Sequence, residues 1–312
     1  MEATAVVLER PRELVLSRLP LANAGEEDVV VDVEWSGIST GTERLLWSGS
    51  MPTFPGMGYP LVPGYETVGR ITMAGPATQR RVGERVFVPG ARCFGDVRGL
   101  FGGAASRLVV PHSRVVPVSE RLGEKGVLLA LAATAHHAIA DGKAPPQLIV
   151  GHGVLGRLIA RITVALGAEA PTVWEREPAR REGAQGYEVV DPVSDTRRMY
   201  PVICDVSGDA ALLDSLIARL APGGEVVLAG FYDTPIQFAF APAFMREARL
   251  RIAAQWRDSD LEAVSRLAES GALNLDGLIT HREQAGDAPR AYQTAFTDPN
   301  CLKMILDWRS AP

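Results

Sequence analysis

The chain has 312 residues, 46% of them hydrophobic and 22% charged, which is enough for two domains and a substantial core. A net charge of -5 without a long basic run argues against nucleic acid as a partner, and no apolar stretch reaches the roughly 18 to 20 residues that span a bilayer. The N-terminus lacks the basic start and long apolar segment of a secretory signal, and Cys93, Cys204 and Cys301 form neither a disulfide framework nor a C-x-x-C knuckle, which fits a reducing cytoplasm.

Residues 1–118 are rich in short β-like runs broken by Pro and Gly, the clearest being 5–8, 14–16, 29–33 and 85–88. They predict an irregular β-barrel. From 124 to 140 the pattern turns helical and stops at Asp141-Gly142. Then strands and helices alternate: strand 148–150, helix 154–166, strand 171–174, helix near 178–183, strands 187–190 and 201–206, helix 209–220, and strand 225–229 after Pro222-Gly223-Gly224. A further strand is expected at 250–254. Such alternation implies a parallel, doubly wound sheet with ligand at the carboxyl ends of its strands. Beyond it come an amphipathic helix at 258–270 closed by Gly271, a strand at 278–280, a helix at 288–296 and a strand at 303–308. The expected organisation is 1–122, a nucleotide-binding insertion 123–257, and a return 258–312.

The most informative stretch is Gln147 onward, Gln-Leu-Ile-Val-Gly-His-Gly-Val-Leu-Gly. An apolar strand runs into G-x-G-x-x-G and then into helical spacing. Gly151 permits a tight turn, Gly153 lets a pyrophosphate approach the backbone, and Gly156 lets the helix lie close on the strand. The amides of Val154 and Leu155 at the helix start would face the phosphates. Glu175 lies 24 residues after Gly151, where a carboxylate accepts hydrogen bonds from the ribose hydroxyls and repels a 2′-phosphate, so NAD is expected over NADP. Arg176, Arg180 and Arg181 follow and pull the other way. His152, inside the loop, is either a phosphate contact or a solvated loop residue.

Ser36-Gly37-Ile38-Ser39, Val62-Pro63-Gly64-Tyr65-Glu66, Arg81-Val82-Gly83-Glu84-Arg85-Val86, the glycine loop and Asp276-Gly277-Leu278-Ile279-Thr280-His281 together resemble the medium-chain dehydrogenase/reductase superfamily. The resemblance implies an α/β fold, a Rossmann doubly wound parallel sheet inserted in a GroES-like irregular β-barrel. Zinc-dependent members carry Cys and His where this chain has Ser39 and Tyr65, and their third ligand falls near Ala130. The family's four-cysteine lobe is missing, with only Cys93 in that region. Since zinc needs three good ligands, no metal is expected.

Residues 37–49, 54–66, 88–95, 131–137 and 301–304 look like the bacteriochlorophyllide dehydrogenase family of phototrophic bacteria, and this likeness runs from end to end. It implies NAD-dependent oxidation of the 3-(1-hydroxyethyl) group of a bacteriochlorophyllide to 3-acetyl, in bacteriochlorophyll a synthesis, in the cytoplasm or peripheral to the photosynthetic membrane. Two other readings fit the same residues: a zinc-free quinone or enoyl reductase using NADPH, and a tetrapyrrole carrier without catalysis. A homodimer, paired through the strand at 250–254, is expected as in many relatives.

Without zinc, protein groups must stabilise the developing alkoxide and take the alcohol's proton. The candidates are Ser39, Thr40, Thr42, Tyr65 and Glu66, with His136 or His137 as terminal base. The two histidines are adjacent on a helix, so they diverge by about 100° and only one is expected to point to the cleft. Thr134 matches a family position that touches the nicotinamide. A flat, apolar pigment would suit Met51, Phe54, Met57 and Tyr59 in the segment 47–59, or Phe231-Tyr232 and Phe238-Ala239-Phe240. These aromatics equally suit closing the barrel or a dimer.

Overall fold

The computed structural model describes residues 1–53, 55–142 and 144–310. The chain divides into two compact units, Met1–Ala130 with Leu275–Pro312, and Leu131–Asn274. The expected boundaries at 122 and 257 fall elsewhere. The turn Glu120–Leu128 lies in the first unit, and the helix Asp258–Glu269 lies in the second, where Asp260 receives His136 and His137.

In the first unit, alternating apolar residues build two sheets around one core. The larger runs His281–Gln284, Met304–Asp307, Asp28–Ile38, Thr67–Ala74, Arg85–Val88, Val116–Pro117, with Arg107–Pro111 also on Asp28–Ile38. The smaller runs Glu13–Pro20, Glu2–Arg10, Leu61–Val62, Arg98–Gly99. Val6, Val31, Ile71, Val86, Leu108 and Met304 fill the space between them, all fully buried. The last strand pairs antiparallel with the third, Met304 opposite Ile38 and Ile305 opposite Gly37. Chain positions more than 260 residues apart are thereby held side by side.

The sequence pattern missed one helix here, Thr42–Ser48. Glycines at both ends and several hydroxyls made the stretch read as a loop. Gly49 ends the helix in the left-handed conformation, φ 80°, its amide on the Leu46 carbonyl. The strand expected at 278–280 is not formed. Gly277 turns the chain at φ 74°, and the Thr280 hydroxyl accepts the Leu302 amide at 3.0 Å, so ladder pairing begins only at His281.

The second unit contains a six-stranded, all-parallel sheet in the order Glu188–Val190, Thr172–Trp174, Leu148–Val150, Tyr200–Asp205, Leu220–Leu228, Arg249–Ile252. The chain starts in the middle, goes outward one way, then returns to the centre and goes the other way, which is the doubly wound dinucleotide-binding arrangement. Its strands are near-continuous apolar runs, as burial on both faces requires. The helix expected near 178–183 is only the short turn Pro178–Arg180, because Arg181 bends the chain back onto the Glu175 carbonyl at 2.8 Å. The helix expected over 209–220 shrinks to Ala210–Leu212 and Leu213–Ile217, since the chain becomes strand at Leu220.

A Cβ added at Gly156 would overlap the Gly151 carbonyl oxygen, so the helix Val154–Ala165 rests directly on the turn below it. Gly→Ala inside a helix ordinarily gains about 1 kcal/mol. Gly156→Ala is expected to lose about 1–3 kcal/mol instead, from the forced separation. Thermal unfolding checks this; an unchanged or higher Tm contradicts it.

Candidate active site

The strand Asp28–Ile38 ends in a polar turn through Ser39, Thr40 and Gly41, followed at once by the helix Thr42–Ser48. Glu66 leads into the neighbouring strand Thr67–Ala74, and Lys303 leads into Met304–Asp307 on the other side. Three strand ends thus converge. Lys303 Nζ donates to both Glu66 oxygens, at 2.9 and 2.7 Å, and to the Ile38 carbonyl at 3.1 Å. Both side chains are buried. An ammonium can stay charged in such a place only if paired and hydrogen-bonded, and this one is both. The pair also dictates a glycine: a Cβ at Gly37 would overlap Glu66 Oε2.

A second carboxylate lies beside the pair. Glu43 is fully buried, with Oε1 accepting the Ser39 amide at 3.0 Å and Oε2 accepting the Tyr292 hydroxyl at 2.6 Å. Burial pushes its pKa up to about 7; Glu66 adds to the rise, while the bonds from Tyr292 and Ser39 and the charge of Lys303 oppose it. Tyr65 donates to Ser39 Oγ at 2.8 Å and packs edge-on against Phe101, ring centroids 5.2 Å apart. Burial holds the Tyr65 phenol well above its ordinary value, with help from Glu66 and Glu43, against hydrogen bonds to Ser39 and Thr42. At neutral pH Tyr65 is a hydrogen-bond donor, not a base.

The structure therefore brings together Ser39, Tyr65 and Glu66 of the predicted set, with Thr40 half-buried next to Ser39. It adds Glu43, Tyr292 and Lys303, which sequence reasoning left out of the site. The available signals were a charged residue opening an apolar strand, Lys303, and an acid among the apolar residues of 42–48, Glu43. His136 and His137 belong to the second unit. Both Nδ1 atoms meet Asp260, one on each oxygen, at 2.7 and 3.0 Å, because a carboxylate is wide enough to bridge two adjacent imidazoles. Asp260 also accepts the Arg257 amide; burial opposes its ionisation, but these bonds hold its pKa below the usual value. Ala130 is fully buried, and among the described residues no three His, Cys, Asp or Glu gather as a metal-binding group.

In the second unit the glycine turn has the geometry a pyrophosphate needs. Gly151 sits at φ 105°, and a Cβ at Gly153 would meet only open space. Gly153 caps the helix with no side chain, so the amides of Val154, Leu155 and Gly156 are not taken by a cap. Glu175 ends the strand next to this turn. Its Oε2 accepts the His152 amide at 3.1 Å and its Oε1 the Glu177 amide at 2.9 Å. Arg176 is exposed, while Arg181 is ion-paired with Asp191. Thr134 is half-buried on Leu129–Ala140.

His152 corrects its prediction. It is neither a phosphate contact nor solvated. Its ring is buried, with Nδ1 on the Arg180 carbonyl at 2.6 Å and Nε2 on the Tyr187 hydroxyl at 2.9 Å. Burial, with nearby Arg157, pushes its pKa down to about 4, so it is neutral. Arg157 donates to the His152 carbonyl and to the Arg180 carbonyl, both at 3.0 Å. Together they tie residues 175–183 to the glycine turn.

The aromatic candidates divide. Met51 is buried with Leu8, Leu46 and Leu61, Met57 packs against this cluster, and the Tyr59 hydroxyl bonds the Leu46 carbonyl, so these close the first unit's interior. Phe54 lies outside the described residues. Tyr232 donates to Asp205 at 2.8 Å. Phe231, Phe238, Phe240, Phe244 and Met245 are exposed, Phe240 by 72%.

Residues 25–120 match the alcohol dehydrogenase GroES-like domain. The whole chain is 58% identical to the 2-desacetyl-2-hydroxyethyl bacteriochlorophyllide A dehydrogenase of Rhodobacter capsulatus, covering all of both proteins. It is 57% identical to the protein of the same name in Cereibacter sphaeroides, covering 99% of each. Among solved structures, an alcohol dehydrogenase of E. coli CFT073 complexed with NADH superposes with a TM-score of 0.85 at 21% identity, over 98% of this chain and 99% of that one.

Removing one partner of a buried ion pair strands the other charge, at a cost of about 3–5 kcal/mol. Lys303→Met is expected to lose that much, and Glu66→Leu added to it to restore most of the loss. Denaturant unfolding measures both; a loss for Lys303→Met no larger than a surface substitution contradicts the buried pair.

Proposed function

Given that the chain belongs to the bacteriochlorophyllide dehydrogenases of the medium-chain dehydrogenase/reductase superfamily, we propose that it oxidises the hydroxyethyl group of a bacteriochlorophyllide to acetyl, with NAD as acceptor and without zinc. The full-length likeness to the Rhodobacter capsulatus protein supports the substrate class. The observation that carries the zinc-free reading is the donor set: Ser39 and Tyr65 are hydrogen-bonded to each other, Ala130 is buried, and Glu66 is committed to Lys303. Such a group fits an alcohol oxygen, not a metal ion.

The glycine turn and Glu175 would hold the dinucleotide, whose nicotinamide would supply the acceptor for the alcohol's hydride. The protein's task is the oxygen. Tyr65 donates to Ser39 Oγ, which leaves the Ser39 hydroxyl hydrogen to donate to the substrate oxygen as negative charge builds there. The phenol's raised pKa keeps that direction of donation fixed. The alcohol's own proton passes to water directly and not through this pair, so ketone, reduced nicotinamide and one proton are formed.

NAD is supported by Glu175. Each of its oxygens accepts one loop amide and keeps a lone pair for a ribose hydroxyl, and its charge opposes a 2′-phosphate. Arg181, which would welcome that phosphate, is held by Asp191. The outer strand supports a further reading: Arg249–Ile252 is at the edge of its sheet, Ile252 is 69% exposed, and the phenylalanines 238, 240 and 244 lie nearby in sequence and open to solvent. We read this apolar edge as a homodimer surface.

Purified protein given NAD and hydroxyethyl bacteriochlorophyllide should shift the pigment's absorption in step with NADH formation. Turnover of a quinone with NADPH, and none of the pigment, would overturn the proposal. Tyr65→Phe is expected to lower kcat/KM roughly 10- to 100-fold, the worth of one hydrogen bond in a developing charge, and Glu175→Ala to erode the preference for NAD by a similar factor. Light scattering should give twice the chain mass, falling to one chain in Ile252→Lys.

A further inference from the structure

Glu43 is used by nothing in the reaction as drawn, yet it is a buried acid that holds the backbone amide of Ser39, the residue whose hydroxyl the proposal aims at the substrate oxygen. It accepts the Ser39 amide with one oxygen and the Tyr292 hydroxyl with the other, and Ser39 in turn carries Tyr65. The groups facing it come from every element around it. Tyr292 comes from the helix Ala288–Thr297, Ser39 from the end of Asp28–Ile38, Glu66 from the start of Thr67–Ala74, and Lys303 from the start of Met304–Asp307. Two carboxylates therefore share one ammonium, and among the described residues that ammonium bonds only Glu66 and a carbonyl.

We propose that Glu43 is a positioning residue: its charge state sets the place of Ser39, and through Ser39 the Tyr65 hydroxyl. When ionised, Glu43 accepts strongly from both the Ser39 amide and Tyr292. When protonated, it becomes a donor at one oxygen, the Tyr292 hydroxyl must turn round to accept, and the pull on the Ser39 amide weakens. The proton is exchanged with water. Burial brings this exchange to about pH 7, where the hydroxyl pair responds to it. The ionised form is the one that aligns the pair, so kcat/KM rises with pH through that midpoint and then levels, with KM unchanged.

The effect on turnover rests on the reading of Ser39 and Tyr65 given above, so the test has a readout without pigment. The chain has six tyrosines, and protein labelled at tyrosine Cζ gives a carbon resonance for each, with Tyr65 and Tyr292 assigned through Tyr65→Phe and Tyr292→Phe. In the unsubstituted protein both signals should move with pH at one shared midpoint near 7. In Glu43→Gln neither should move there, and the inflexion in kcat/KM should vanish. Tyr292→Phe removes one donor from the carboxylate and should raise the Tyr65 midpoint by about one unit. This keeps the test decisive even if Glu43→Gln does not fold. A Tyr65 signal that ignores pH, that titrates alike in Glu43→Gln, or that keeps its midpoint in Tyr292→Phe overturns the inference. Coupled tyrosine titrations without any pigment turnover would instead uphold it and sink the proposed substrate.

Discussion

The first unit depends on one buried ion pair. Lys303 and Glu66 meet in the dry space where three strand ends converge, and neither side chain has water to fall back on. Desolvating two charges is costly, and only close geometry with extra hydrogen bonds offsets it. Here the Ile38 carbonyl supplies the extra bond, and the absent side chain of Gly37 supplies the room. The register of the last strand follows, because Met304 must lie opposite Ile38 for Lys303 to reach. A residue near the end of the chain thus fixes the start of the polar turn that carries Ser39.

That constraint also shapes the chemistry. With its one ammonium spent on Glu66, the space leaves Glu43 without a full counter-ion and Tyr65 beside two acids. The phenol is kept protonated and pointed at Ser39, so Tyr65 and Ser39 form a directed pair of donors. The second unit solves a different problem by similar means. A buried neutral imidazole and the buried guanidinium of Arg157 hold the backbone of 175–183 through carbonyl oxygens, so Glu175 is presented at the glycine turn by a rigid loop.

Much of this was legible in the residues. The parallel strands, the glycine turn and the acid at 175 declare themselves locally, since strand period, turn and helix spacing involve neighbours in sequence. The motifs around Ser39 and Tyr65 marked both as candidates. Lys303, Tyr292 and Glu43 were not, because their partners lie 237 and 249 residues away and no local pattern marks such a pair. The contact that the two histidines share was hidden for a related reason: helical geometry sends them apart, but says nothing of a carboxylate, 124 and 123 positions on, that spans both. His152 read as a phosphate contact or a solvated loop residue because loops are usually open; only the fold shows Arg180 and Tyr187 closing over it.

The central claim is that hydroxyl groups of the protein, and no metal ion, hold the charge that appears on the substrate oxygen. It is tested most directly by following pigment oxidation with protein stripped by a strong chelator and shown by elemental analysis to carry no zinc. The account predicts an unchanged kcat/KM. Activity lost on stripping and restored by one equivalent of zinc would contradict it.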